Sequence, residues 1–418
     1  MGLSLATECR QRCEQALLQL ETHQISDDRL RMLLRVGLGN SMLHTLGPSE
    51  QAQTILTEAL AIADAVGNLD AQLRALLSLS TVHVYRGKYA QGAAEVERAA
   101  QIAQRIGDLS GVAVADRRLG VTLLTLGRLG EAQQCLERAI RSPFYLENER
   151  SLAPRRWDDL AMARAMHSRV LWLQGFTDRA RREAQASLDD AGGSDLSMCR
   201  IIYSGIGRIA PMMGDFEVAE NAIANLIELA TRVNAPFWMT AGQLLRGKLL
   251  VERREFAEGL AVLRDPCEVC RQTGWRLSYP EFNGSVALAL AGLRRLDEAC
   301  DAVSGAIESA GGPEGQQWYV PELLRIKAQI LLQQDTREVL AAENCLDQAV
   351  AMAREQGALL WELRVALGRC HLRLTQGRSD EGRQELSSVY DRFTEGFDTA
   401  DAIAARRLLD DSFNAGAK

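Results

Sequence analysis

Proline is scarce in this chain of 418 residues, nine in all, and no Pro- or Ser-rich stretch interrupts it. The lack of a linker argues against the two or three domains that such a length allows, so one continuous unit over residues 1–418 is expected. No apolar run is long enough to cross a bilayer, and the opening MGLSLATECRQRCEQ meets charge too early for a secretory signal. A cytoplasmic protein with no membrane contact is expected. A basic excess is missing too. With a net charge of −7, the sequence offers no concentrated positive stripe to track a phosphate backbone, and direct nucleic-acid binding by this region is not expected. The local clusters Arg155-Arg156 and Arg179, Arg181, Arg182 are read as solvated helix faces. Nine cysteines, an odd number without a framework, fit reduced thiols, and Cys135 and Cys345 fall where small core residues belong.

Motifs for chemistry are equally lacking. Gly242 to Lys248 has phosphate-loop spacing, but Leu249 stands where a Ser or Thr would hold magnesium, and no strand precedes it. Gly205-Ile-Gly207-Arg-Ile-Ala210 imitates a dinucleotide fingerprint without the βαβ setting that gives it meaning. Cys267 and Cys270 form a lone CxxC with no second pair or nearby His. Cys370 and His371 are adjacent and so point to different faces of a helix, and the five histidines form no HExxH or triad. No enzyme, metal or cofactor is expected; catalysis would need a constellation assembled across distant segments.

What the chain has in abundance is one repeating unit. From Tyr85 to Gly127 it reads as two amphipathic helices. The first, 89–106, places Ala93, Val96, Ala100, Ala103 and Ile106 on one stripe, and Gly107-Asp108 stops it; the second runs from about residue 110 to 126. Comparable turns recur at Gly47, Gly87, Gly127, Gly175, Gly214, Arg253-Arg254, Gly292, Gln334-Asp335 and Gly377. A spacing of about 40 residues marks a solenoid. The expected fold is all-α, a tetratricopeptide-like helical-repeat superhelix of about nine helix pairs. Residues 1–45 are expected to form capping helices, with Ser26 and Asp27 between them as caps, followed by the first repeats over 46–142. Residues 143–158 are expected as an insertion loop in which Pro143 and Pro154 break helix, 159–396 as later repeats, and 397–418 as a C-terminal capping helix.

Aromatic residues, only 5% of the chain, are not scattered. Trp157, Phe237-Trp238, Trp275 with Tyr279, Trp318-Tyr319 and Trp361 recur at the start of the first helix of a pair, and Trp172 lies late in one. Such helices line the concave face of a solenoid. The candidate ligand or partner residues are therefore Trp238, Arg246, Trp275, Tyr279, Trp318, Tyr319, Arg325, Trp361 and Arg364. An aromatic at that place also staples a helix to the preceding turn, so packing stands beside binding as a reading.

The last stretches add a family likeness. Arg354 to Arg364 (REQGALLWELR), Gly377-Arg378, and Val389 to Asp401 (VYDRFTEGFDTAD) together resemble the C-terminal tetratricopeptide-like region of a family of bacterial signalling ATPases. Arg31 to Gly39, and Trp318 with Glu322 and Arg325, are similar to an early and a late repeat of that region. Members of the family carry a winged-helix or nucleotide-cyclase domain and a central ATPase module ahead of it. None of those modules' motifs occurs here. The resemblance therefore implies either the C-terminal region of a longer regulator or a stand-alone relative that kept the sensor. It also implies a role in signal transduction and transcription regulation. The expected function is a non-enzymatic interaction module that binds a protein, peptide or small effector on its concave face and regulates an attached or partner ATPase. The alternative is a self-associating assembly scaffold with no released ligand.

Overall fold

The computed structural model describes residues 3–45, 47–146, 154–192, 194–312, 315–334 and 338–415, and within them every regular element is a helix. After α1 (Leu3–Thr22), nine helix pairs follow. They are α2 (Asp28–Thr45) with α3 (Glu50–Val66), α4 (Leu69–Tyr85) with α5 (Tyr89–Ile106), and α6 (Leu109–Thr125) with α7 (Leu129–Ile140). The short α8 (Pro143–Leu146) precedes α9 (Pro154–Leu173), which pairs with α10 (Thr177–Asp189). A broken helix, α11 (Asp195–Ser204) and α12 (Ile206–Met213), pairs with α13 (Phe216–Arg232), then α14 (Pro236–Glu252) with α15 (Phe256–Thr273) and α16 (Tyr279–Gly292) with α17 (Leu296–Ser309). Last come α18 (Val320–Gln334) with α19 (Val339–Gln356), α20 (Leu359–Thr375) with α21 (Ser379–Tyr390), and the closing α22 (Ala400–Ala415). Pro143 and Pro154 stand at the first positions of helices rather than breaking them, because proline's missing N–H costs nothing there. Residues 147–153 of the expected insertion loop lie outside the described residues.

Local signals set the ends of these helices. Ser49, Asn68 and Asp108 each accept a hydrogen bond from the backbone N–H three residues on, and Gly67, Gly107 and Gly357 close helices in the left-handed conformation. The two members of a pair differ in how they bury themselves. The second member, as in α7, covers one stripe, Leu129, Ala132, Leu136 and Ala139. The first member, as in α4, buries residues on every side, from Leu73 to Val84, so first members lie inside and second members outside.

The inner helices are wound tightly enough for successive turns of the superhelix to touch. The turn that ends each of the first five inner helices lies against the start of the unit five pairs later. A Cβ added at Gly47, Gly127, Gly175 and Gly214 would lie 3.8, 2.9, 3.0 and 3.1 Å from Phe237, Gln356, Leu359 and Ala400. At Gly87 the neighbour is Arg276, whose N–H donates to the Tyr85 carbonyl at 2.8 Å. These glycines combine a positive φ with close approach. After the sixth and seventh inner helices the same left-handed position is held by exposed Arg254 and Arg294.

The FTEGFDTAD stretch closes the last of these seams. Glu395 pairs with Arg179, and Asp398 with Arg181, which also bonds Asp215. Two of the three arginines expected to form a solvated face on α10 are thus occupied, because the superhelix brings residues more than 200 positions apart together. Gly396 sits at φ +75° with the place for its Cβ 2.6 Å from Thr177 Cβ. Gly396→Ala is expected to cost about 1–3 kcal/mol from overpacking, with about 1 kcal/mol more from the left-handed backbone. Hydrogen exchange should then show α22 opening ahead of the other helices.

Candidate functional site

The tight winding fills most of the axis with side chains. It leaves a cavity of about 190 Å³ among the inner helices of the N-terminal half. Its wall is drawn from α2, α4, α6, α9, α11, α12 and α14, and from the turns at Gly47-Pro48 and Leu277-Ser278. Five arginines face it, Arg117, Arg118, Arg169, Arg200 and Arg208, and none of the residues lining it is a carboxylate. Aromatic rings complete the wall. Tyr85 and Phe237 have centroids 6.2 Å apart, and Tyr203 and Trp238 5.9 Å apart.

Two of the arginines have counter-charges behind the wall. Arg117 pairs with Asp159 at 2.9 Å, and Arg208 pairs with the buried Glu281, which also holds Lys248 at 2.5 Å. Arg208 further donates to Ser278 Oγ at 2.7 Å and to the Tyr203 carbonyl at 3.1 Å, and its guanidinium lies 4.4 Å from the Tyr203 ring centre. It reaches this position because the helix breaks at Gly205, where a Cβ would stand 3.2 Å from the Ala165 backbone of α9. Between two cations, Glu281 is held down at about 2, well below its ordinary 4.5, although burial alone would raise it.

The remaining three arginines have no ion-pair partner among the described residues. Arg118 donates to the hydroxyls of Thr81 and Ser80, and Arg169 stacks 4.7 Å from the Trp318 ring centre. Burial, with Arg117 beside Arg118 and Arg208 beside Arg169, pulls both guanidiniums down to about 9. Several polar atoms around the cavity also lack partners: Arg117 Nε, Arg118 Nε and the Tyr203 hydroxyl. Burial raises the Tyr203 phenol, so it stays a neutral donor. In folded proteins nearly all buried polar atoms are bonded, so these three groups are able to meet polar atoms of a molecule in the cavity.

A second cavity, of about 710 Å³, lies near the C-terminal end between α18, α19 and α20. Its arginines are already matched. Glu322 bonds Arg325 at 2.8 Å and Arg364 at 3.0 Å, and Arg364 bonds Asp401 at 2.8 Å. Burial raises Glu252 on the same wall toward its neutral form.

The sequence-derived candidates are dispersed. Trp238, partly exposed, lines the arginine cavity. Trp275 stacks on Phe237 at 4.4 Å behind it, and Tyr279 is half-buried at the start of α16. Trp318, Tyr319 and Trp361 are buried together against Trp172, with 5.3 Å between the ring centres of Trp172 and Trp361. Arg325 and Arg364 line the second cavity, and Arg246 is exposed, 3.8 Å from Glu258 of α15. The side chain of Trp157 lies outside the described residues. Apart from Trp157 on α9, the recurring aromatics stand on or at the start of the sixth to ninth inner helices, which are the helices that abut an earlier turn.

The near-motifs resolve as packing. Gly242 and Gly247 let α14 approach Ile227 and Leu263, and Lys248 turns inward to Glu281. Cys267 and Cys270 are buried thiols raised by desolvation, Cys267 to about 12. Among the described residues no group of His, Cys, Asp and Glu is arranged to hold a metal. The arginine cluster is absent from the sequence-derived candidates. A signal for it exists, since Arg208 is the only charged residue in α12 and Arg169 lies between the apolar Met166 and Leu173, so neither helix offers it a polar face.

No family model and no curated protein matches this sequence. Among solved structures, the chain is similar to a Rap protein complexed with competence and sporulation factor, with a TM-score of 0.54 and 12% identity over 84% of this chain and 98% of that one. Looser likenesses extend to the apo form of RapI, with a TM-score of 0.46 and 13% identity over 91% of this chain and 98% of that one. A further one is the apo quorum sensor NprR from B. thuringiensis, with a TM-score of 0.41 and 12% identity over 93% and 97%. At such identities the first likeness shows the fold alone: this chain is an all-α, tetratricopeptide-like helical repeat.

Proposed function

We propose that this chain is a non-enzymatic effector-binding module that takes up a peptide segment or small molecule inside the superhelix and regulates a signalling ATPase or transcription regulator, attached or separate. The observation that carries this reading is the interior cavity, where the buried Arg169 and the partly buried Arg118 and Arg200 have no ion-pair partner among the described residues and the Tyr203 hydroxyl is unbonded. A buried cation left without a counter-charge costs several kcal/mol, on the order of 3–5 when a pair is broken. An occupant that supplies the counter-charge recovers that cost. The Rap protein solved with competence and sporulation factor supports a fold of this kind holding a signalling factor. The cavity is also placed to relay its occupancy. Gly47, Tyr85, Phe237 and Leu277 line it and belong to the seam between successive turns, so an occupant that shifts them changes the winding of every pair beyond.

A thermal-shift and tryptophan-fluorescence screen against peptides and metabolites tests this, repeated with Val121→Trp, which fills the cavity. An effector at about 100 times its dissociation constant stabilises the fold by about 2.7 kcal/mol and should move Trp238 emission. Both responses should vanish in the filled variant. A ligand that stabilises the parent and Val121→Trp equally would place the site elsewhere.

A further inference from the structure

We propose that the arginine cavity is a phosphoryl-group site, and that its occupant is a small phosphorylated compound bearing a planar ring, of the nucleoside monophosphate class. This rests on the effector-binding reading above and narrows it. Beside the five arginines stand the hydroxyls of Ser204 and Tyr203, while those of Ser80 and Thr81 already donate to the Leu77 carbonyl; no carboxylate lines the cavity, and Asp159 and Glu281 engage Arg117 and Arg208 from behind it. A guanidinium is a flat fork that meets two oxygens of a phosphate or carboxylate at once.

Charge and size choose between ligand classes. Three guanidiniums lining one cavity without an ion-pair partner among the described residues call for more than one negative charge in the occupant, and a phosphate monoester carries about −1.5 to −2 with three acceptor oxygens. A single carboxylate supplies half of that. The cavity of about 190 Å³ suits a compact anionic group better than a long peptide segment. Beyond the arginines, the half-buried rings of Tyr85, Phe237 and Trp238 offer faces on which a base stacks. The rest of the chain is acidic, with a net charge of −7, so the positive interior is a local feature rather than part of a basic surface.

Isothermal titration and thermal shift on the full chain test the assignment with inorganic phosphate, AMP, GMP, adenosine and citrate as probes. AMP or GMP is expected to bind and raise the melting temperature, inorganic phosphate to bind more weakly, and adenosine not to bind. Arg169→Gln and Arg118→Gln should each weaken the nucleotide by roughly tenfold or more, the loss of one charge-assisted contact. In the ligand-free state these variants should melt no lower than the parent at low salt, because neither guanidinium has an ion-pair partner among the described residues and each stands beside another arginine. An arginine serving structure alone would lower it. Tyr203→Phe, which keeps the ring, should weaken the nucleotide without altering the ligand-free melting temperature.

Phosphorylated probes that bind both arginine variants as well as the parent would be adventitious ions only, and the assignment would fall. Citrate binding more tightly than either nucleotide would replace phosphoryl by polycarboxylate chemistry and overturn it. If the nucleotides fail while a peptide or neutral effector stabilises the parent but not Val121→Trp, the phosphoryl assignment is wrong and the effector reading stands. If no probe or effector binds inside the superhelix, both are wrong.

Discussion

Glu281→Gln is expected to destabilise the protein by about 3–5 kcal/mol, the cost of leaving buried cations without their partner. Glu281 is 1% exposed and is bonded by both Arg208 and Lys248, themselves buried. Without its charge these two join Arg118, Arg169 and Arg200 as unmatched cations around one interior. Urea denaturation at neutral pH reads the loss directly. The pH dependence gives a second check. The carboxyl's ordinary value is 4.5 and its folded value about 2, so it binds protons more readily when unfolded. Its contribution is therefore complete above about 4.5 and disappears as pH falls toward about 2. The parent should lose stability across that window, and Glu281→Gln, already lacking the charge, should lose less. Equal acid sensitivity in the two proteins would mean that Glu281 is not the group holding the cations in place.

Trp361→Ala is expected to cost about 3–5 kcal/mol, as for a large core aromatic cut back to a methyl. Trp361 is fully buried, its indole N–H donates to the Trp318 carbonyl at 2.8 Å, and its ring meets Trp172 edge-on and Tyr319 at 5.5 Å. Those neighbours come from two other helix pairs, one in the preceding turn of the superhelix. The truncation therefore opens a void at the seam as well as within one repeat. Thermal unfolding should shift down, and hydrogen exchange should rise in α9 and α20 together. A cost under 1 kcal/mol would show that Trp361 is dispensable to packing and would return it to the list of ligand contacts.

The turn residues show how much was legible in advance. A glycine after each early inner helix marks both the repeat length and the helix end, since a left-handed cap and a change of direction are local demands on the backbone. The stop at Gly107 is readable for the same reason, whereas of the expected stripe on α5 only Val96 and Ala103 are buried: Ala93 and Ala100 are partly buried, Ile106 is exposed, and Gly92, Ala99 and Ile102 face the core instead. The aromatics were legible as a pattern but not as a cause. Trp275, Trp318 and Trp361 recur at one place in the repeat, which suits a ligand ladder as well as a staple, and only the contact with a turn five pairs earlier gives the packing reason. The arginines of the cavity were hidden more deeply. They stand on four helices, at positions with no common spacing, and only Arg208 and Arg169 differ from an ordinary helix charge by lacking a polar face.

The sequence by itself determined that this chain is a stack of helix pairs and where glycine turns close the early inner helices, but not the helices α8 and α9 within the expected loop or the break at Gly205. The repeat and its turns follow from interactions within about forty residues. The tertiary structure alone decided the number of pairs in a turn, which sets the seam, the closed interior and the set of side chains around the cavity. The rotation between neighbouring pairs is fixed by the fit of many side chains at each interface, and small differences accumulate over five pairs. No local pattern encodes that sum, yet it brings Tyr85 against Arg276, and gathers Arg118, Arg169 and Arg208 around one void.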